Sequence, residues 1–489
     1  MRRLEISARA VLTVAMAAVS IAGTMVMGSV RLAAQESLGE KARRIRAEKE
    51  NAQAGQPANG QKQMSPAAAD LTATVGLIQE TDAAKYQEGV RLLLEQERFR
   101  VLEDVAAGER VNKTRFTGGE WKLWWFYNAL ASPAGKGRGV VPDWNAYREK
   151  LNQWVGQMPQ SVTARVALAQ AELLYGWELR GPGALGTIAQ EKFDRFMAEV
   201  KQAETILNGA SEMAVKCPEW FDVMMQVGRA KGWELQDLNT LLERAAAFEP
   251  GYFYVYQQMA LTLTPKWRGR EGDAEKFAED AANRVGGRPG DILYWEIAQA
   301  IMGNPELGKA PQHFVWSRAL IGYQGLVAQY GVSTVRQNQI AFMAARFGDY
   351  MTADDFLLQV GDRWDPGTWG TQEYFEKVRT WARGTAGPFK KIIQAYKAVN
   401  DNVATPEGQR YDGQIAREFT ARYARAVQDC KMAADAPTLL ILQVGKTGSV
   451  QQMLVVPQTA SDACLRPKIE KANFSPPPRP EYWVRVSLK

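Results

Sequence analysis

The chain has 489 residues, a nearly balanced charge of 60 Lys and Arg against 54 Asp and Glu, and a single histidine. That one imidazole, His313, sits in Pro311-Gln312-His313-Phe314 and reads as an ordinary surface or capping residue, which removes most hydrolase triads, histidine acid–base pairs and histidine-ligated zinc. An apolar content of 46% supplies core for the two to four domains that this length implies.

The N-terminus reads Met1, Arg2, Arg3, then an uncharged apolar run from Ala10 to Val30, then Arg31 and a small-residue site at Ala33 and Ala34. These are the three parts of an export signal, so residues 1–34 are read as a signal peptide or signal anchor. The run is long enough to span a bilayer, but it is Ala, Gly, Ser, Thr and Met with little Leu or Ile. Cleavage after Ala34 is therefore favoured, giving a periplasmic or secreted protein. Uncleaved, the chain is anchored in the inner membrane and meets membrane through this segment alone.

Arg2, Arg3, Arg9 and Arg31 against Glu5 account for +3 of the net +6, leaving the rest near neutral. The one dense basic cluster, Lys41, Arg43, Arg44, Arg46 and Lys49, is interleaved with Glu48 and Glu50 and reads as a solvated helix, so no nucleic-acid partner is expected. Residues 35–70, rich in Gln, Ala, Gly and Pro towards their end, form a tether with too little apolar surface to fold.

Residues 71–400 carry helical periodicity repeatedly, as in Leu92, Leu93, Phe99 and Leu102, or Leu238, Leu241, Leu242, Ala245 and Phe248. Breaks fall at Pro133 to Gly139, Gly181 to Gly186, Pro250-Gly251, Gly286 to Gly290 and Pro366-Gly367. The predicted architecture is mainly α: a helical, repeat-like domain followed by a small α+β domain over 401–489. Leu241, Leu242, Ala245, Phe248 and Pro250, and again Ala341, Ala344, Ala345, Gly348, Asp349, Ala353, Phe356 and Asp365-Pro366, resemble pieces of tetratricopeptide units. Gly118-Gly119-Glu120-Trp121-Lys122-Leu123-Trp124-Trp125-Phe126-Tyr127-Asn128, Arg180-Gly181 and Leu263, Pro265, Lys266, Trp267 resemble an uncharacterised bacterial family. Together these resemblances span about 86–385; they imply a helical fold and bring no activity.

In the last 90 residues, Ile415, Phe419, Tyr423 and Val427 predict an amphipathic helix, Thr438–Val444 a strand, Lys446-Thr447-Gly448 a turn, Ser449–Val456 a second strand, Asp462–Ala472 a helix, and Tyr482–Leu488 a third strand. This order, with Gly448-Ser449-Val450 in the turn and Phe474 and Pro476 before the last strand, resembles the C-terminal domain of the TonB family over about 430–489. The resemblance implies a periplasmic module that pairs with an outer-membrane partner. TonB proteins precede that module with a long Pro-rich spacer, where this chain has its helical domain.

Among chemical motifs, no Ser-x-x-Lys or Gly-x-Ser-x-Gly occurs, so serine catalysis has no support. Gly181-Pro182-Gly183-Ala184-Leu185-Gly186 spells the dinucleotide fingerprint but follows a helical period instead of a strand. Gly445-Lys446-Thr447 belongs to the hairpin turn. Trp121, Trp124 and Trp125 are the candidate aromatic binding surface, set against a packing role between crossing helices. Cys430 ends one helix and Cys464 begins another, so a bridge between them would tie both across the hairpin, leaving Cys217 free and buried.

These readings imply no catalytic residue, cofactor or metal. The expected function is an exported envelope scaffold for a protein or peptide partner, and not an enzyme. One alternative is a carboxylate-dependent enzyme or binding protein acting on cell-wall or extracellular glycans. The other is a TonB-like contact to an outer-membrane partner.

Overall fold

A computed structural model describes residues 73–133, 143–183, 185–304, 307, 313–430, 438–456 and 460–488. The expected export signal and tether lie outside the described residues, as does most of the expected break at Pro133 to Gly139. The chain is mainly helical, with one three-stranded antiparallel sheet near its C-terminus. It divides into two compact units, Met64–Ala386 and Gly387–Lys489. The division between them falls inside a helix that runs on through Pro388.

The first unit is a succession of helices: α1 Ala83–Glu95, α2 Phe99–Asn112, α3 Lys122–Ala129, α4 Trp144–Gln157, α5 Val162–Arg180, α6 Gln190–Ser211, α7 Pro218–Lys231, α8 Leu235–Phe248, α9 Tyr254–Thr262, α10 Asp273–Val285, α11 Gly287–Met302, α12 Trp316–Tyr330, α13 Thr334–Arg346, α14 Tyr350–Val360, α15 Pro366–Trp369 and the first part of α16 Gln372–Val403. Successive helices pack as hairpins, most extensively α5 on α6, α11 on α12 and α13 on α14. Local chemistry sets many of the ends. Asp82, Ser161, Ser333 and Asp349 accept hydrogen bonds from the first backbone N–H groups of α1, α5, α13 and α14. Gly232, left-handed at φ +70°, closes α7. Pro366 does not end a helix: Asp365 caps a new one-turn helix and Pro366 takes its first position, where no N–H is needed. One continuous apolar core, with Trp121, Trp154 and Trp295 almost wholly enclosed, runs through this unit.

In the second unit the end of α16 and α17 Pro406–Asp429 are followed by β1 Thr438–Val444, β2 Val450–Val456, α18 Ala460–Ile469 and β3 Tyr482–Leu488, in sheet order β2-β1-β3. The central strand β1 is apolar on both faces because both are covered. Leu440, Leu442 and Val444 pack with Tyr411, Ile415 and Phe419 of α17 and Leu465 and Ile469 of α18, while Ile441 meets Ala395 and Val399 of α16. Gly408 lets α17 lie close: a Cβ there would stand 1.9 Å from the Asn402 carbonyl oxygen. Gly448, at φ +92°, makes the hairpin turn and accepts a hydrogen bond from Phe474 N–H at 2.7 Å. Cys430 and Cys464 form the expected disulfide, and Cys217 is free and buried.

Candidate functional site

The Gly118-Gly119-Glu120-Trp121 segment acquires a physical reason in the first unit. Gly118 and Gly119 sit at φ +97° and +87°, and a Cβ on them would lie 2.6 Å from Ser333 Oγ and 2.8 Å from the Tyr330 ring. Only glycine lets the chain run this close to α12 and α13. Trp121 then turns into the core, 1% exposed, its indole N–H donating to the Gly251 carbonyl at 2.8 Å. Arg115 covers the Trp121 ring at 4.3 Å and ties both ends of the turn, donating to the carbonyls of Gly119 and Gly251.

With Trp121 facing inward, Glu120 faces a cavity of about 350 Å³ walled by α3, α9, α11, α13 and α15. Trp124 and Trp125, both partly buried, form one wall. Trp124 stacks on Tyr254 with ring centres 4.8 Å apart and planes 8° from parallel, and stands edge-on to Trp125 at 5.3 Å. The Trp125 indole N–H has no hydrogen-bond partner among the described residues. Of the three candidate aromatic residues, then, Trp124 and Trp125 line the cavity and Trp121 is buried in the core.

Three acids share the cavity: Glu120, Glu296 and Asp365. Glu296 is held by Arg336, Nη2 to Oε1 2.5 Å, with both side chains 2% exposed. Arg336 also donates from Nε to the Gly118 carbonyl at 2.9 Å and from Nη1 to Gln339 Oε1 at 2.9 Å, so it fixes the glycine turn to α11 and α13 at once. Asp365 is occupied as a helix cap, accepting from Thr368 N–H at 2.7 Å and Thr368 O–H at 2.6 Å through one oxygen. Of the three carboxyl groups, that of Glu120 alone accepts no hydrogen bond among the described residues, and the side-chain amide of Gln299, which lines the same cavity, is likewise unengaged. Burial raises the pKa of the Glu120 carboxyl, an effect that Arg336 opposes and Asp365 reinforces; Glu296 is raised in the same way, again with Arg336 opposing.

His313 lies three residues ahead of α12, exposed, with Nε2 2.9 Å from Glu271 Oε1 and its backbone N–H donating to Glu275. The hydrogen bond its ring donates to the Glu271 carboxylate raises its pKa. Gly181 to Gly183 follow the end of α5, and Gly445-Lys446-Thr447 lies between β1 and β2, so neither phosphate-motif look-alike has the strand-to-helix setting it needs. Among the described residues no three His, Cys, Asp or Glu are placed to hold a metal, and no helix is long and apolar enough to cross a membrane.

In the second unit side chains contact both outer edges of the sheet. Beyond β3, Asn402 donates to the Trp483 carbonyl at 2.8 Å and Asp412 accepts from Arg485 N–H at 3.3 Å; beyond β2, Arg466 donates to the Met453 carbonyl at 3.1 Å. Such caps blunt a sheet edge against pairing with another strand.

Compared with known proteins, the chain matches no family model, no curated protein and no solved structure.

Proposed function

We propose that the helical unit binds a short glycan, one or two sugar rings of cell-wall or extracellular polysaccharide, and that the chain acts as an exported binding protein. The carrying observation is the convergence of Trp124, Trp125 and the unengaged Glu120 and Gln299 on one cavity of about 350 Å³. A sugar ring has C–H faces that lie on indole rings and a rim of hydroxyls that carboxylates and amides bind; the volume is at the lower end of small-molecule sites. Binding is favoured over hydrolysis because glycoside cleavage uses two carboxyl groups, one as acid and one as base or nucleophile. Here Glu296 is committed to Arg336 and Asp365 to its helix cap.

Calorimetric titration of the purified protein with N-acetylglucosamine disaccharide, cellobiose and peptidoglycan fragments tests this. At least one should bind, with affinity falling tenfold or more in Trp124→Ala and in Glu120→Gln. Absence of heat with every ligand at millimolar concentration overturns the reading, and turnover that Glu120→Gln abolishes would replace it with the enzymatic one. A peptide partner is the second reading, favoured by a separate slot at Trp220 and Arg244. A TonB-like contact through the second unit would have to displace the side chains that cap its sheet edges.

A further inference from the structure

A second cavity, of about 150 Å³, opens in the helical unit between the start of α5, the end of α6, α7 and α8. Apolar protein cavities of about this size take one benzene ring. Its walls are Trp220, Phe221 and Phe248, with Cys217 behind them. Trp220 is held in place by its indole N–H donating to the Leu207 carbonyl at 2.8 Å, and the Phe221 and Phe248 rings lie 5.8 Å apart. The Cys217 thiol is paired with the Tyr127 hydroxyl at 3.3 Å.

The slot's charge is one-sided. No acid lines it, but Lys216 and Arg244 do. Arg244 lies over the Trp220 and Phe221 rings at 6.0 and 5.9 Å and has no acidic partner among the described residues. Lys216 donates to the Ser211 carbonyl and forms no ion pair there either. An apolar slot beside two uncompensated cations matches a ligand with one apolar group next to one anion. Apolar surface also continues past the mouth, through Phe248 at 44% and Val215 at 53% exposure. A small organic acid would leave that rim bare, whereas the preceding residue of a peptide would cover it.

We infer that this slot captures the C-terminal residue of a peptide or protein chain, with its apolar side chain among Trp220, Phe221 and Phe248 and its α-carboxylate between Arg244 and Lys216. The glycan cavity shares no lining residue with it.

The test is fluorescence anisotropy of the full chain with a labelled hexapeptide, Gly-Ser-Gly-Ala-Val-Phe, carrying a free carboxylate, beside its C-terminal amide and with phenylacetate as competitor. The free acid should bind, the amide at least tenfold more weakly, and raised salt should weaken binding. Arg244→Gln, an exposed position, should cost about tenfold with the circular dichroism spectrum unchanged, while Trp124→Ala in the glycan cavity should have no effect. Equal binding of acid and amide, or no binding of either at millimolar concentration, overturns the inference. Phenylacetate binding as tightly as the peptide also overturns it, making the slot a small-acid site.

Discussion

Arg336 and Glu296, 40 residues apart in the chain, meet at 2.5 Å where each side chain is 2% exposed. A buried pair of this kind contributes little beyond a well-packed apolar pair of similar volume, but losing one partner strands the other charge. Arg336→Met should therefore destabilise the protein by about 3–5 kcal/mol, and Arg336→Met with Glu296→Leu should recover most of that loss. Urea unfolding of the three proteins checks this: equal midpoints for the single and double variants would show that the loss comes from packing and the Gly118 and Gln339 hydrogen bonds, and not from the stranded charge.

The glycine turn should be equally intolerant. Gly118→Ala places a Cβ 2.6 Å from Ser333 Oγ at a φ of +97°, for which a loss of about 2 kcal/mol or more is expected. Because Glu120 is two residues on, glycan affinity should fall as well. A thermal midpoint within a degree of the parent would show that the turn has room.

Stability should carry a pH signature from α7. Glu219 and Asp222 are enclosed one turn apart, and Glu219 Oε1 and Asp222 Oδ1 have no hydrogen-bond partner among the described residues. Burial raises both pKa values, with Asp222 pushed up to about 6 and Glu219 raised further by the Asp222 charge. A raised carboxyl binds its proton more tightly in the folded chain than in the unfolded one. Its contribution is therefore full below the unfolded value near 4 and is lost as pH rises through about 6. Glu219→Gln should narrow the stability difference between pH 5 and pH 7.5. Denaturant curves at the two pH values measure it, and an unchanged difference would sink the assignment.

Removing the disulfide should act on one unit. The Cys430–Cys464 bridge closes a 34-residue loop, which the chain-entropy account values at about 4 kcal/mol. In Cys430→Ser with Cys464→Ser, amide exchange should accelerate in β1, β2 and β3 and stay unchanged in α5, α6 and α11. Uniform acceleration across both units would contradict a local role.

Much of the fold was legible because burial leaves a period in the sequence. β1 and β3 begin and end where the sequence predicts, and of the stripe Leu238, Leu241, Leu242, Ala245 and Phe248 the first four are buried while Phe248 at the helix end is exposed. Trp124 and Trp125 could be read as site candidates from aromatic spacing. Trp121, three residues earlier on the same stripe, could not be separated from them, because its inward turn depends on two glycines pressed against helices more than 200 residues later. Arg336 and Glu296 left no signal of their own: a buried arginine is written with the same letter as a solvated one, and what buries it comes from distant segments. One local rule is overridden: α16 continues through Pro388, where propensity alone would place a stop.

The hydrogen bond from Arg336 to the Gly118 carbonyl spans 218 residues. At roughly 5–20 residues per second, a ribosome leaves Gly118 waiting about 10–45 s for the side chain that pins it. Throughout that interval Glu120 and its neighbouring tryptophans have emerged without the wall that encloses them. The cavity is thus completed late in synthesis, and a chain cut short before α13 lacks the means to hold Glu120 in place.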